Sequence, residues 1–112
     1  HDQSSAASDV YKRQEIKEKG VDLIACVSVN DPFVMKAWGE DRNVGEDVMM
    51  LSDGNGEFTA AIGLEMDGSG FGLGTRSLRY AMIIDDGAVS VLNVEQGPGL
   101  DVSSADTVLE QL

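Results

Sequence analysis

Arg79-Tyr80-Ala81-Met82-Ile83-Ile84-Asp85-Asp86-Gly87-Ala88-Val89-Ser90-Val91-Leu92-Asn93-Val94-Glu95 is the stretch whose reading decides the fold. Two runs of β-forming residues flank Asp85-Asp86-Gly87, and a glycine after aspartate takes the positive φ that a tight antiparallel reversal demands, so the stretch predicts a β-hairpin. In its first strand both alternating sets are apolar or amphipathic: Tyr80, Met82 and Ile84 on one face, Ala81 and Ile83 on the other. That pattern predicts a strand covered on both faces, in the middle of a sheet. Arg79 opens the strand just after a glycine-laden loop, which puts a permanent cation at the lip of the core.

Working outward, Val21 to Val29 is apolar and β-branched, as a buried parallel strand should be. Asn30-Asp31-Pro32 sets a helix start, with a capping side chain before a proline suited to the first helical position. Phe33, Ala37 and Trp38 give that helix one apolar face through about Arg42, and Val48 to Ser52 follows as a strand. Strand, helix and strand make a βαβ unit with parallel strands and a right-handed crossover. Upstream, Glu15 to Lys19 followed by Gly20 reads as the end of a helix. Asp53-Gly54-Asn55-Gly56 is turn chemistry, Glu57 to Ile62 a short helix ending at Gly63, and Asp67 to Thr75 a loop with glycine at alternate positions. At the end of the chain, Ser103-Ser104-Ala105-Asp106 has the form of a capping box, and Ala105, Val108, Leu109 and Leu112 share one helical face.

Residues 1–14 (HDQSSAASDVYKRQ) have no initiator methionine and no apolar period; they read as a non-native or disordered tail that looks like a translated junction. The remaining 15–112 read as a partial domain. The order of elements is an α/β, thioredoxin-like one, a mixed sheet with flanking helices, truncated at the N-terminus before its first strands and most of its first helix.

With 112 residues the chain forms one domain at most. Its 42% hydrophobic and 25% charged content is ordinary for a globular protein, and no window approaches the roughly 20 apolar residues of a membrane span. Twenty acidic against eight basic side chains give a net charge of −12, which repels phosphate backbones and anionic lipid. Neither nucleic acid nor a membrane is the expected partner. One cysteine excludes an internal disulfide and a cysteine-based zinc site, and the cytoplasm is the simplest location for it.

The alternate glycines 68, 70, 72 and 74 fit no dinucleotide fingerprint and lead into a strand, so no cofactor is expected there. Asp53-Gly54-Asn55-Gly56-Glu57 mimics a calcium loop but has Phe58 where the sharp turn requires glycine, and reads as a surface turn. The single histidine, His1, lies in the tail, which leaves Cys-His and Ser-His-Asp catalysis without a base. Cys26 sits in the most apolar strand and reads as a small buried hydrophobe. Asp41, Glu46, Asp47, Asp85, Asp86 and Glu95 read as solvated charges. For Arg76 and Arg79, a surface salt bridge and the binding of an anion or oxyanion are both open on the residues alone.

Ala25-Cys26-Val27-Ser28-Val29-Asn30-Asp31-Pro32-Phe33-Val34-Met35-Lys36-Ala37-Trp38-Gly39 closely resembles the second half of peroxiredoxins of the peroxiredoxin-five class. So do Leu51-Ser52-Asp53-Gly54-Asn55-Gly56-Glu57-Phe58, Gly74-Thr75-Arg76-Ser77-Leu78-Arg79-Tyr80-Ala81-Met82 and Leu92-Asn93-Val94-Glu95, in the same order. The resemblance covers about Glu15 to Leu112. It implies a thioredoxin fold and thiol-dependent reduction of hydrogen peroxide or alkyl hydroperoxides by a peroxidatic cysteine in a P-x-x-x-T-x-x-C motif. That motif is not in this sequence and would lie upstream of Glu15. The resemblance matches Cys26 to a strand cysteine outside catalysis, and Arg79 to the arginine beside the peroxidatic cysteine. Gly99 to Ser103 holds no resolving cysteine, which implies a one-cysteine enzyme recycled by glutathione, glutaredoxin or thioredoxin. A homodimer is implied where the loops around Asn30 to Phe33 and Gly72 to Arg76 meet their symmetry mates. The chain alone is then expected to be inactive. The rival expectation is a non-catalytic thioredoxin-like binding module.

Overall fold

Asp31 stands just ahead of Pro32, and its side chain accepts the amide of Val34 at 2.8 Å; with proline at the first helical position, this starts helix α2 (Pro32–Asp41) where the sequence places it. The structure, a computed structural model, describes residues 12–97 and 100–112. Their elements are α1 (residues 12–18), β1 (Ala25–Ser28), α2, β2 (Met49–Ser52), α3 (Glu57–Ala61), β3 (Glu65–Asp67), β4 (Thr75–Ser77), β5 (Tyr80–Asp85), β6 (Ala88–Val94) and α4 (Ala105–Gln111), with a short 3-10 turn at Ser69–Phe71. Residues 1–11 of the expected tail lie outside the described residues. Residues 12–14, assigned to that tail on composition, are helical: Arg13 donates to the carbonyl of Asn43 at 3.3 Å, a bond that composition does not reveal. Arg13 and Lys17 also approach Asp47, so that carboxylate is paired and not merely solvated.

The chain divides into two units, one ending at Ser77 and one running from Leu78 to Leu112. In the first, β1 and β2 pair in parallel with Ala25 opposite Met49 and Ser28 opposite Ser52, the register of the expected βαβ unit. The strand is shorter than the apolar run suggests, and its residues are half-buried or exposed. The apolar face of α2 is also not the expected one. Met35, 1% exposed, and Gly39 face inward, while Phe33, at 83%, Ala37 and Trp38 point to water. Gly39 decides this: a Cβ there would stand 3.0 Å from Met50 Cγ, so the helix approaches β2 through the side that has no side chain.

The glycine loop is framed by strands that sequence patterning does not show. β3 and β4 pair antiparallel, Glu65 opposite Ser77 and Asp67 opposite Thr75, and three pairs are too few for alternation to register. Gly68 is fixed there by contact, since a Cβ would meet Leu73 Cβ at 2.9 Å and the carbonyl of Gly74 at 3.1 Å.

In the second unit the hairpin is as expected: β5 and β6 pair antiparallel, with Asp86 at φ 51° and Gly87 at φ 79° forming the reversal. Ile83 pairs with Val91 and Ile84 with Val89, which leaves Ser90 as the extra residue of a bulge. The hairpin is a two-stranded sheet, so among the described residues β5 is not a central strand. Its apolar residues are half-buried and Ile84 is exposed, because alternation records which residues suit cover and not whether cover is supplied. Helix α4 begins one residue later than the capping box predicts. Ser104, not Ser103, accepts the amide of Thr107 at 3.2 Å, because Ser103 is engaged by Glu95. Val108 and Leu109 are half-buried as expected, and Asn93 Nδ2 donates to Gln111 Oε1 at 2.6 Å.

Candidate functional site

In parallel α/β architectures, the loops at the carboxyl ends of the strands gather chemistry, since backbone and side chains converge there unobstructed by the helices. In the first unit those loops are cross-tied. Ser52 Oγ, at the end of β2, donates to the carbonyl of Asn30, and Asn30 Nδ2 reaches Ser28 Oγ at 3.3 Å. Arg76 on β4 sends Nη1 to the carbonyl of Val29 at 2.7 Å and Nε to that of Leu73 at 2.8 Å. Arg76 therefore joins two backbone segments, and neither of the roles open on the sequence describes that arrangement.

Asp53, read from the sequence as part of a surface turn, is buried. Its carboxylate accepts the amides of Phe58 at 3.1 Å and Thr59 at 2.8 Å and the Thr59 hydroxyl at 2.6 Å. The Thr59 hydroxyl, with the amides behind it, holds the carboxyl below its ordinary range despite burial. These bonds start α3, whose N-cap is Gly56 without a side chain to do so. Asp53 standing six residues before a threonine was the available signal.

Cys26 lies half-buried in β1 opposite Met50, and burial pushes its thiol up. An attacking thiolate requires the opposite shift. A cleft of about 980 Å³, lined by Leu23, Met35, Val44 and Met50 together with Lys36 and Glu40 among others, lies beside α2 and includes neither Cys26 nor Arg76. Among the described residues no three His, Cys, Asp or Glu side chains are grouped to hold a metal ion.

In the second unit Arg79 immediately precedes β5. Its carbonyl accepts the amide of Glu95 at 2.9 Å, which closes the hairpin, and its side chain is exposed. Among the described residues no group hydrogen-bonds or ion-pairs with its guanidinium. Glu95 is the clearest departure from the sequence reading. At 8% exposure it is no solvated charge: Oε2 accepts the amides of Asp101 and Ser103, both at 2.8 Å, and the Ser103 hydroxyl at 2.6 Å. The Ser103 hydroxyl above all, then the amides, hold its carboxyl down at about 2. Nothing in local sequence pairs a strand-end glutamate with amides six and eight residues on.

Residues 4–109 match the Redoxin family model. The chain is 52% identical over 105 residues to Peroxiredoxin-2E, chloroplastic, of Arabidopsis thaliana, covering 92% of this chain and 45% of the relative. Among solved structures it is similar to reduced Prx3 from Vibrio vulnificus, at TM-score 0.87 and 56% identity over 95% of this chain and 67% of that one. The same Prx3 in complex with hydrogen peroxide matches at TM-score 0.83 and 61% identity over 88% of this chain and 63% of that one. The chain spans about half the length of the curated relatives it matches first. The thioredoxin-like fold is thus borne out by solved peroxiredoxin structures, and among the described residues no helix is long and apolar enough to cross a membrane.

Proposed function

This chain belongs to the redoxin family, among the peroxiredoxins, and on that premise we propose that it is the part of a thiol-dependent peroxidase that supplies the activating arginine, Arg79. The substrates are hydrogen peroxide and alkyl hydroperoxides. The observation that carries the assignment is the contrast between the two arginines: Arg76 is committed to backbone carbonyls, whereas the guanidinium of Arg79 is exposed and without a partner among the described residues.

The chemistry follows from charge. A peroxidatic thiolate attacks one peroxide oxygen, the S–O bond forms as O–O breaks, and the departing oxygen leaves as hydroxide or alkoxide that takes up a proton. The sulfur becomes a sulfenic acid, which glutathione, glutaredoxin or thioredoxin returns to the thiol. A guanidinium charged at every working pH lowers the energy of the thiolate and donates to the departing oxygen as its charge grows. Cys26, raised by burial, is not that thiolate; the attacking cysteine is supplied from outside these 112 residues. The chain by itself is then inactive. The active form is a homodimer meeting through the loops at Asn30 to Phe33 and Gly72 to Arg76. The cytoplasmic location read from one cysteine does not extend to every relative, since Peroxiredoxin-2E is chloroplastic by name.

In the protein carrying its peroxidatic thiol, Arg79→Gln should raise the thiol pKa and slow the second-order reaction with peroxide. A rate within a few-fold of the parent would make Arg79 a structural cation only.

A further inference from the structure

We propose that Met50 is a modification site: a hydroperoxide converts its thioether to a sulfoxide, and the change releases the C-terminal half of α2 from β2. Taking a hydroperoxide as the oxidant rests on the function proposed above; the placement of Met50 does not. Three of the five methionines, Met35, Met49 and Met50, line the cleft beside α2, and they meet water to different degrees. Met35 is 1% exposed, Met50 is half-buried and Met49 is 47% exposed. Peroxide entering the cleft therefore reaches Met49 and Met50 well before Met35.

Position makes Met50 the consequential one. At Gly39 a Cβ would stand 3.0 Å from Met50 Cγ, 3.3 Å from Val44 Cγ2 and 3.9 Å from Met50 Sδ, so the Met50 side chain fills the notch that glycine leaves in α2. In the oxidation a lone pair on Sδ attacks one peroxide oxygen, and the S–O bond forms as O–O breaks. The proton of the transferred oxygen passes to the departing one, which leaves as water or an alcohol; sulfur gives up two electrons and the peroxide takes them. The product is a polar side chain whose oxygen needs hydrogen-bond donors. The notch offers none: beside Met50 it holds the Val44 side chain, and the amides nearby are committed, Arg42 to the Trp38 carbonyl at 3.0 Å and Val44 to that of Gly39 at 3.1 Å. The sulfoxide is satisfied by turning into the water of the cleft, which empties the notch and removes from α2 its contact at Gly39. The start of α2 keeps its own anchors, the Asp31 cap and the bond from Ser52 Oγ to the Asn30 carbonyl. Met49, with nearly half its surface in water, is hydrated as a sulfoxide where it stands. Methionine sulfoxide reductases return the thioether, so the release is reversible.

The test exposes this chain and its Met50→Leu and Met49→Leu variants to hydrogen peroxide, locates added oxygen by peptide mass, and follows hydrogen exchange. Leucine has a similar volume and no sulfur, so the variants keep the packing. In the parent, oxygen should appear on Met49 and Met50 before Met35. Exchange over 38–44 should speed by about tenfold or more as Met50 is modified, with 29–34 unchanged. Met50→Leu should abolish the acceleration although Cys26, Met49 and Met66 remain oxidisable, and Met49→Leu should keep it. A methionine sulfoxide reductase with a dithiol should restore slow exchange. A Met50 that stays unmodified while Met49 is oxidised, or that carries the oxygen without faster exchange over 38–44, overturns the proposal. An acceleration that survives in Met50→Leu overturns it as well. Hydrogen peroxide is added directly, so this outcome is separate from whether Arg79 activates a thiol, and failure of either reading is recognised without the other.

Discussion

The unit ending at Ser77 and the unit from Leu78 to Leu112 are built from opposite kinds of contact. In the first, side chains reach far along the sequence to backbone groups: Ser52 to Asn30, Arg76 to Val29 and Arg13 to Asn43. In the second, a hairpin closed by an Asp-Gly turn zips neighbours together, and one carboxylate, Glu95, organises the residues just after it. A parallel pair needs a crossover and leaves its loop ends to be tied by side chains, whereas an antiparallel pair closes through its own backbone. The two arginines follow this division. The cross-tied unit consumes the hydrogen bonds of Arg76, and the self-closing unit leaves the guanidinium of Arg79 free of partners among the described residues.

The largest effect should come from that contrast. With the peroxidatic thiol in place, Arg79→Gln should cost roughly a hundredfold to a thousandfold in the second-order rate with peroxide, the scale for losing a preorganised donor to a developing oxyanion. Arg76→Gln should cost much less and leave the thiol pKa unchanged, so stopped-flow rates and a thiol titration together separate the two arginines. Equal losses would erase the distinction drawn between the units.

Packing offers the next test. Met35→Ala removes the most buried apolar side chain described and should destabilise the first unit by about 2–5 kcal/mol. Hydrogen exchange should show β1 and β2 released while β5 and β6 keep their protection. A common loss across all four strands would show that the two units unfold as one.

A smaller effect, confined to acid, should appear in the second unit. The Glu95 carboxyl is lowered from 4.5 to about 2, so its contribution is complete above about 4.5 and is lost as pH falls through about 2. Glu95→Gln should lower the protection of Asp101 and Ser103 at neutral pH and flatten its decline between those limits. If the variant and parent lose protection over the same acid range, Glu95 does not hold that segment.

The sequence disclosed elements held by their own neighbours and missed those held from a distance. Asp31-Pro32 and Asp86-Gly87 are local signals, and both the start of α2 and the hairpin reversal stand where they place them. Phe33, Ala37 and Trp38 misled because hydrophobicity names the residues that favour burial, while the buried side of α2 was set by the absence of a side chain at Gly39. Asp53, Glu95 and Arg76 escaped for one reason. Each acts on backbone amides or carbonyls, groups every residue carries and no pattern marks. Arg79 stood out, with Arg76, because the chain as a whole is acidic, and through its likeness to an arginine of a known family; its exposure is what the structure adds.

The most direct test of the account concerns the thiol it excludes. This chain, with Cys26 in β1 and its thiol raised by burial, should show no catalytic loss of hydrogen peroxide in the presence of glutathione and glutaredoxin, and Cys26→Ser should behave identically. Turnover by the parent chain that disappears in Cys26→Ser would contradict the account, because it would make the strand cysteine the attacking thiolate.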